Sequence, residues 1–97
     1  MNQPIQQMTV NLPVAFIQEG DQVVAYTPAL DLSTSGKDEA EAKARFGEIV
    51  GIFFNDLLEQ GTLDAVLSEL GWRQINSAWN PPVISQESMR VAIPAYA

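Results

Sequence analysis

Residues 26–42 read YTPALDLSTSGKDEAEA, and within them the chain passes from a strand pattern to a helical one. Leu30 and Leu32 alternate with Asp31 and Ser33, which predicts a short strand ending near Ser35-Gly36. Asp38, with Glu41 three residues later, resembles a capping box, so a helix starts directly after Gly36-Lys37. The central STSGK also invites reading as a phosphate cradle, because N–H groups at a helix start attract anions. That reading fails. A P-loop needs GxxxxGK[ST], yet Asp31 stands five positions before Gly36 and Asp38 follows Lys37. Asp38, Glu39 and Glu41 already fill the first turn, where they satisfy the dipole and repel a phosphate. Ser33, Thr34 and Ser35 are strand-end and turn residues.

Upstream, residues 8–18 (MTVNLPVAFIQ) alternate. Met8, Val10, Leu12, Val14 and Phe16 share one face; Thr9, Asn11, Pro13 and Ala15 share the other, as in a half-buried strand. Pro13 cannot donate to a ladder, which places this strand at an edge or gives it a bulge. Glu19–Gln22 (EGDQ) signals a tight turn, VVAYT resumes as a second strand, and Pro28 stops it. Residues 1–7 (MNQPIQQ) read as a polar, flexible tail with no basic region before an apolar run, hence no secretion signal.

Downstream, residues 38–60 are the strongest element. Ala42, Phe46, Ile49, Val50, Phe53 and Leu57 make one apolar stripe at helical spacing, with Glu41, Glu48, Asn55 and Glu59 opposite it. Gly61 is placed to end this helix. Thr62 is placed to cap a shorter one whose inner face is Leu63, Val66, Leu67 and Leu70, closed by Gly71. The pattern weakens after Trp72; Asn80–Val83 (NPPV) is extended or turned by its prolines. Met89, Val91 and Ile93 alternate with Arg90 and Ala92, predicting a last strand. The order is β-β-β-α-α-β: an α+β fold with helices on one face of a mainly antiparallel sheet, in a single domain over 8–97.

The 97 residues contain no cysteine and no histidine. Disulfides, thiolate chemistry, a Ser-His-Asp triad and Cys/His zinc sites are excluded. No window approaches about 18 consecutive apolar residues, so no membrane span is expected, and a cytoplasmic location is. A net charge of −7 argues against direct nucleic-acid binding, because neutralising phosphates needs a basic surface. The charge is unevenly placed. Between Asp38 and Glu69 stand eight acidic residues and two basic ones, Lys43 and Arg45, leaving −6 on the helical layer. A basic partner would be steered there.

Carboxylate metal chemistry needs several acids converging on one point. Asp21 sits in a turn, Asp31 faces away from Leu30 and Leu32, and Asp38 is used in capping, so neither a metal nor a cofactor is expected. Tyr26 is a strand residue with no base placed beside it. Trp72 after a helix end is expected to pack on the core. Trp79 is open to two roles, packing or anchoring a partner. Gly47 and Gly51 each cost the main helix roughly 1 kcal/mol relative to alanine. With Phe54 and Leu58 they form a shoulder that another element could approach closely, either the second helix of the same chain or a helix of a second subunit.

Tyr26, Pro28, Leu30, Gly36, Asp38, Glu41, Ala42 and the run Glu69-Leu70-Gly71-Trp72 resemble, in order and spacing, the HicB antitoxin family over about residues 10–72. The chain departs from the family pattern in having no cysteine, in Glu39 where a leucine is usual, and in Gly47 and Gly51. The resemblance implies a degraded RNase H-like fold without nuclease activity. It also implies a HicA-type mRNA-cleaving toxin as partner, small and basic, blocked by direct binding, and assembly into dimers or larger homo-oligomers. Many family members carry a C-terminal DNA-binding module. MRVAIPA resembles the opening strand of a ribbon-helix-helix, but its two helices do not follow here, which implies a short form without direct DNA binding.

The resemblance, together with the acidic helical layer, implies a non-catalytic type II antitoxin. Glu41, Glu48 and Glu59 are the candidate electrostatic contacts, Trp79 and the last strand candidate anchors, and Gly47, Gly51, Phe54 and Leu58 the candidate self-association surface. A solitary homo-oligomeric scaffold or small-ligand-binding protein that has lost its toxin is the second reading, and a carboxylate metal-dependent hydrolase the third.

Overall fold

The computed structural model describes residues 9–95. The polar tail expected over 1–7, and Met8 at the start of the first expected strand, lie outside the described residues. Three strands, β1 (Ala15–Glu19), β2 (Gln22–Thr27) and β3 (Leu32–Gly36), form an antiparallel sheet in the order β1-β2-β3. Helices α1 (Glu39–Gln60) and α2 (Leu63–Glu69) follow, then a separate hairpin of β4 (Arg73–Ile75) and β5 (Ala78–Asn80). The α+β class holds, with two strands in a second small sheet rather than one final strand.

β1 is shorter than its alternation predicts. Its ladder begins at Ala15↔Tyr26. Continued outward, that register would set Pro13 against Pro28, two residues without an N–H, so the ladder cannot extend. The alternation keeps its phase nonetheless: Val10 and Leu12 pack on one core cluster and Val14 on the other. Gly20 takes a positive φ of 62° in the two-residue turn to β2, with the Gln18 amide donating to the carbonyls of Gly20 and Gln22.

The third strand starts at Leu32 rather than Leu30, because Pro28–Asp31 form a turn. Thr27 Oγ1 accepts from the Ala29 N–H there, and Asp31 takes φ 49°. Leu30 is buried in this turn.

Helix α1 lies on the face of the sheet that carries Val23, Ala25 and Thr27. Ala25, Ala42 and Phe46 form one buried cluster, and Ala29, Leu30, Leu67 and Trp72 form a second; Val50 packs on both. Asp38 caps α1, its Oδ1 accepting from the Glu41 N–H at 2.8 Å. Glu41 reaches back one residue beyond the usual capping box, to the Lys37 N–H at 3.0 Å. Both helices end in the same way. Gly61 and Thr62 donate to Leu58 and Leu57, and Gly71 and Trp72 donate to Ser68 and Leu67. Each glycine has positive φ (67° and 90°), the Schellman arrangement that satisfies the last carbonyls.

Thr62 does not cap α2 as expected. Its backbone (φ −111°, ψ 9°) is not extended, its side chain makes no capping hydrogen bond, and the hydroxyl oxygen is buried without a partner among the described residues.

The expected strand over Met89–Ile93 is not formed. Residues 81–95 contain no helix or strand, and Met89, Val91 and Ile93 are 79%, 66% and 79% exposed. Among the described residues, no apolar surface covers their side chains. The β4–β5 hairpin was not anticipated. It turns through Asn76 and Ser77, both at positive φ (52° and 65°), which is the sign pattern of a type I′ turn.

Candidate binding surface

Helix α1 presents two neighbouring features on the side turned away from the sheet: an acidic ridge and an apolar groove. At 3.6 residues per turn, Glu41, Glu48 and Glu59 lie within about 20° of one another around the axis, along about 27 Å of helix. Glu48 and Glu59 are exposed, and the exposed Asn55 and Asp56 lie near them. Ile52 projects from the same side, 62% exposed. The Asn55 amide donates to Glu59 Oε1 at 3.4 Å, which orients that carboxylate along the ridge.

Glu41 has a different character. Its Oε1 accepts from the Lys37 N–H and lies 3.6 Å from Arg45 Nη2. Arg45 in turn donates to the Ser35 carbonyl at 3.2 Å. One of the two bases of the helical layer is thus tied to the sheet, and Glu41 is largely occupied in starting the helix. The free negative charge of the ridge rests on Glu48, Asp56 and Glu59.

Beside the ridge, a groove of about 460 Å³ runs between α1 and the segment leading into β1. Gly47, Gly51, Phe54 and Leu58 line it from the helix, Leu63 from α2, and Thr9, Val10 and Leu12 from the opposite wall. The four residues singled out for self-association therefore share one surface. The alternative that α2 packs closely over the glycines is not what the structure has: among the described residues nothing lies within 4 Å of a Cβ built on Gly47 or Gly51. Leu58 is 63% exposed. Phe54 is half-buried, edge-on to Phe53 (5.5 Å between centroids) and to Trp72 (6.4 Å), so the groove floor is continuous with the core.

Trp79 is half-buried and packs against the Ala29, Leu30, Leu67 and Trp72 cluster, opposite Gln74 in the hairpin register. Packing thus accounts for most of its surface. Trp72 is buried, as expected, and its indole N–H donates to the Ala29 carbonyl.

Tyr26 Oη lies 3.3 Å from Asp31 Oδ1. Desolvation raises the phenol above its usual range, and the Asp31 charge and hydrogen bond add to the effect. Among the described residues no group of three or more acidic side chains converges as a metal site would require. No helix there is long and apolar enough to cross a membrane. The groove walls are aliphatic and aromatic, the ridge is anionic, and together they suit non-covalent recognition.

Comparison with protein-family models, with curated proteins and with solved structures returns no match.

Proposed function

We propose that this chain is a non-catalytic antitoxin of a type II toxin–antitoxin pair, acting in the cytoplasm by binding and neutralising a small basic HicA-type RNase. The observation that carries the reading is the exposed acidic ridge of Glu48, Asp56 and Glu59 on a helical layer of net charge −6. A cationic RNase presents to RNA the same kind of surface that would meet this ridge, so occupancy by the acidic helix excludes the nucleic acid. The resemblance of residues 10–72 to HicB antitoxins supports the reading, and with it a degraded RNase H-like core. The low pI of 4.2 supports a protein partner rather than direct contact with DNA or RNA.

The test is to look for a small basic, histidine-containing reading frame beside this one and to measure RNA cleavage by its product with and without one equivalent of this chain; the absence of such a frame counts against the proposal. Stoichiometric suppression with a stable complex is the expected result. Glu48→Lys with Glu59→Lys should weaken that complex tenfold or more and flatten its salt dependence, whereas adding Glu41→Lys should do little more, since Glu41 is already engaged. Full cleavage with no complex refutes the proposal.

The groove favours a second reading, a homo-oligomeric scaffold or small-ligand-binding protein that no longer has a toxin. Its sign would be oligomerisation or ligand uptake with no effect on the neighbouring RNase.

A further inference from the structure

Among the described residues, two apolar surfaces lack a cover, and their spacings match. One is the groove over Gly47 and Gly51. The other is the C-terminal segment, which forms neither helix nor strand and where Met89, Val91 and Ile93, alternating with Arg90 and Ala92, stand exposed. We propose that the groove receives the Met89–Ile93 segment of a second copy of this chain, exchanged reciprocally in a two-fold dimer. The inference does not depend on the toxin-binding reading.

The spacings agree. Alternate side chains of an extended segment recur about every 6.6 Å. Gly47 and Gly51 open gaps about 6 Å apart along α1. Successive apolar side chains of the segment can therefore enter successive gaps, with the third lying past Gly51, between the levels of Phe54 and Leu58. The opposite wall suits a strand as well. Residues 9–13 share no backbone hydrogen bond with another described segment, so the N–H groups of residues 9–12 and the C=O groups of residues 9–13 are free to pair with an incoming chain.

Charge selects the occupant. Packing two α1 helices across the groove would bring two ridges of Glu48 and Glu59 together, and like charges so placed repel. The C-terminal segment instead carries one charged residue between Ser88 and Ala95, Arg90, on the side opposite Met89 and Val91. Lying in the groove, it would turn Arg90 toward solvent beside the acidic rim.

Exchange between copies follows from the path of the chain. Residues 83–86 run past Leu12, and residues 85–88 past Ala15, before the segment leaves the body. Returning to its own groove would require a tight reversal, and between Ile84 and Ile93 the only residues that favour turns are Ser85 and Ser88, the weakest turn formers, with no Gly, Pro, Asn or Asp. A second copy satisfies both surfaces without a reversal, and reciprocity closes the assembly.

The absence of cysteine makes a direct test available. Full-length Gly51→Cys and Val91→Cys chains, mixed in equal amounts and oxidised, should give a disulfide-linked heterodimer; space for the Gly51 substitution is present. The Gly51→Cys/Val91→Cys double variant should give covalent dimer rather than a cross-linked monomer. By sedimentation equilibrium the unmodified chain should have twice its 10.6 kDa mass. Val91→Glu, in a segment too exposed to affect folding, should return it to the monomer. A monomeric unmodified chain, an internal cross-link, cross-linking of Val91→Cys chains only with one another, or a Val91→Glu dimer would each overturn the proposal.

Discussion

The indole N–H of Trp72 donates to the backbone carbonyl of Ala29 at 2.7 Å, joining two buried residues 43 positions apart. This bond ties the end of α2 to the β2–β3 turn, and the Trp72 ring also meets Phe54 edge-on. Trp72→Phe would leave the Ala29 carbonyl without its donor and open space around the smaller ring. The expected loss is about 2–4 kcal/mol of stability, read as a lower midpoint in urea unfolding. An unchanged midpoint would show that the bond contributes nothing.

Gly36 permits the close approach of α1 to the sheet. A Cβ at that position would lie 2.5 Å from the Ala42 backbone nitrogen and 2.9 Å from the Glu41 carbonyl carbon. Backbone atoms cannot step aside as a flexible side chain can, so Gly36→Ala should cost about 1–3 kcal/mol or more. Thermal unfolding by circular dichroism would register this as a lower Tm. A neutral result would mean that the first turn of α1 can shift without loss.

Gly47 and Gly51 behave oppositely. Among the described residues, neither has a neighbour that a methyl group would strike. Gly47→Ala and Gly51→Ala should each raise the intrinsic stability of the chain by up to about 1 kcal/mol through helix propensity alone. Urea unfolding at concentrations low enough to dissociate any dimer separates this gain from an effect on association. A loss of stability there would place an unseen intramolecular contact over the groove.

The Tyr26 phenol should titrate above its usual range, because desolvation and the neighbouring Asp31 disfavour the phenolate. A raised folded-state value means that the contribution of this group to stability is present below about pH 10 and fades as pH rises through the folded value. Asp31→Asn should bring the phenol down, and asparagine tolerates the positive φ at that position. The phenolate absorbance of Tyr26 in a Tyr96→Phe background would measure it. An identical titration curve in the Asp31→Asn variant would remove Asp31 as a cause.

Legibility in the sequence followed the range of the forces involved. The α1 stripe, the Asp38 cap, both glycine terminations and the first hairpin turn depend on residues within a few positions of one another, and all were readable. The β4–β5 turn is local too, yet it escaped notice: Asn76-Ser77 lacks the glycine that makes such turns conspicuous, and the flanking strands have only three residues each. For the binding surface, the ridge of Glu48 and Glu59 was visible from helical periodicity. The engagement of Glu41 with Lys37 and Arg45 became apparent only when the start of α1 was placed against β3.

By itself, the sequence determined the α+β class, the direction each helix turns its apolar face, and a layer of strongly negative charge, because periodicity, capping and composition act locally or simply add. The tertiary structure decided where β1 begins, through a register with β2 that, continued outward, would set Pro13 against Pro28. It decided that α2 leaves Gly47 and Gly51 open, that Val10 and Leu12 form the far wall of their groove, and that Met89–Ile93 has no sheet of its own to join. Each of these depends on which distant segments meet, and pairing over long sequence separations is set by the packing of the whole chain.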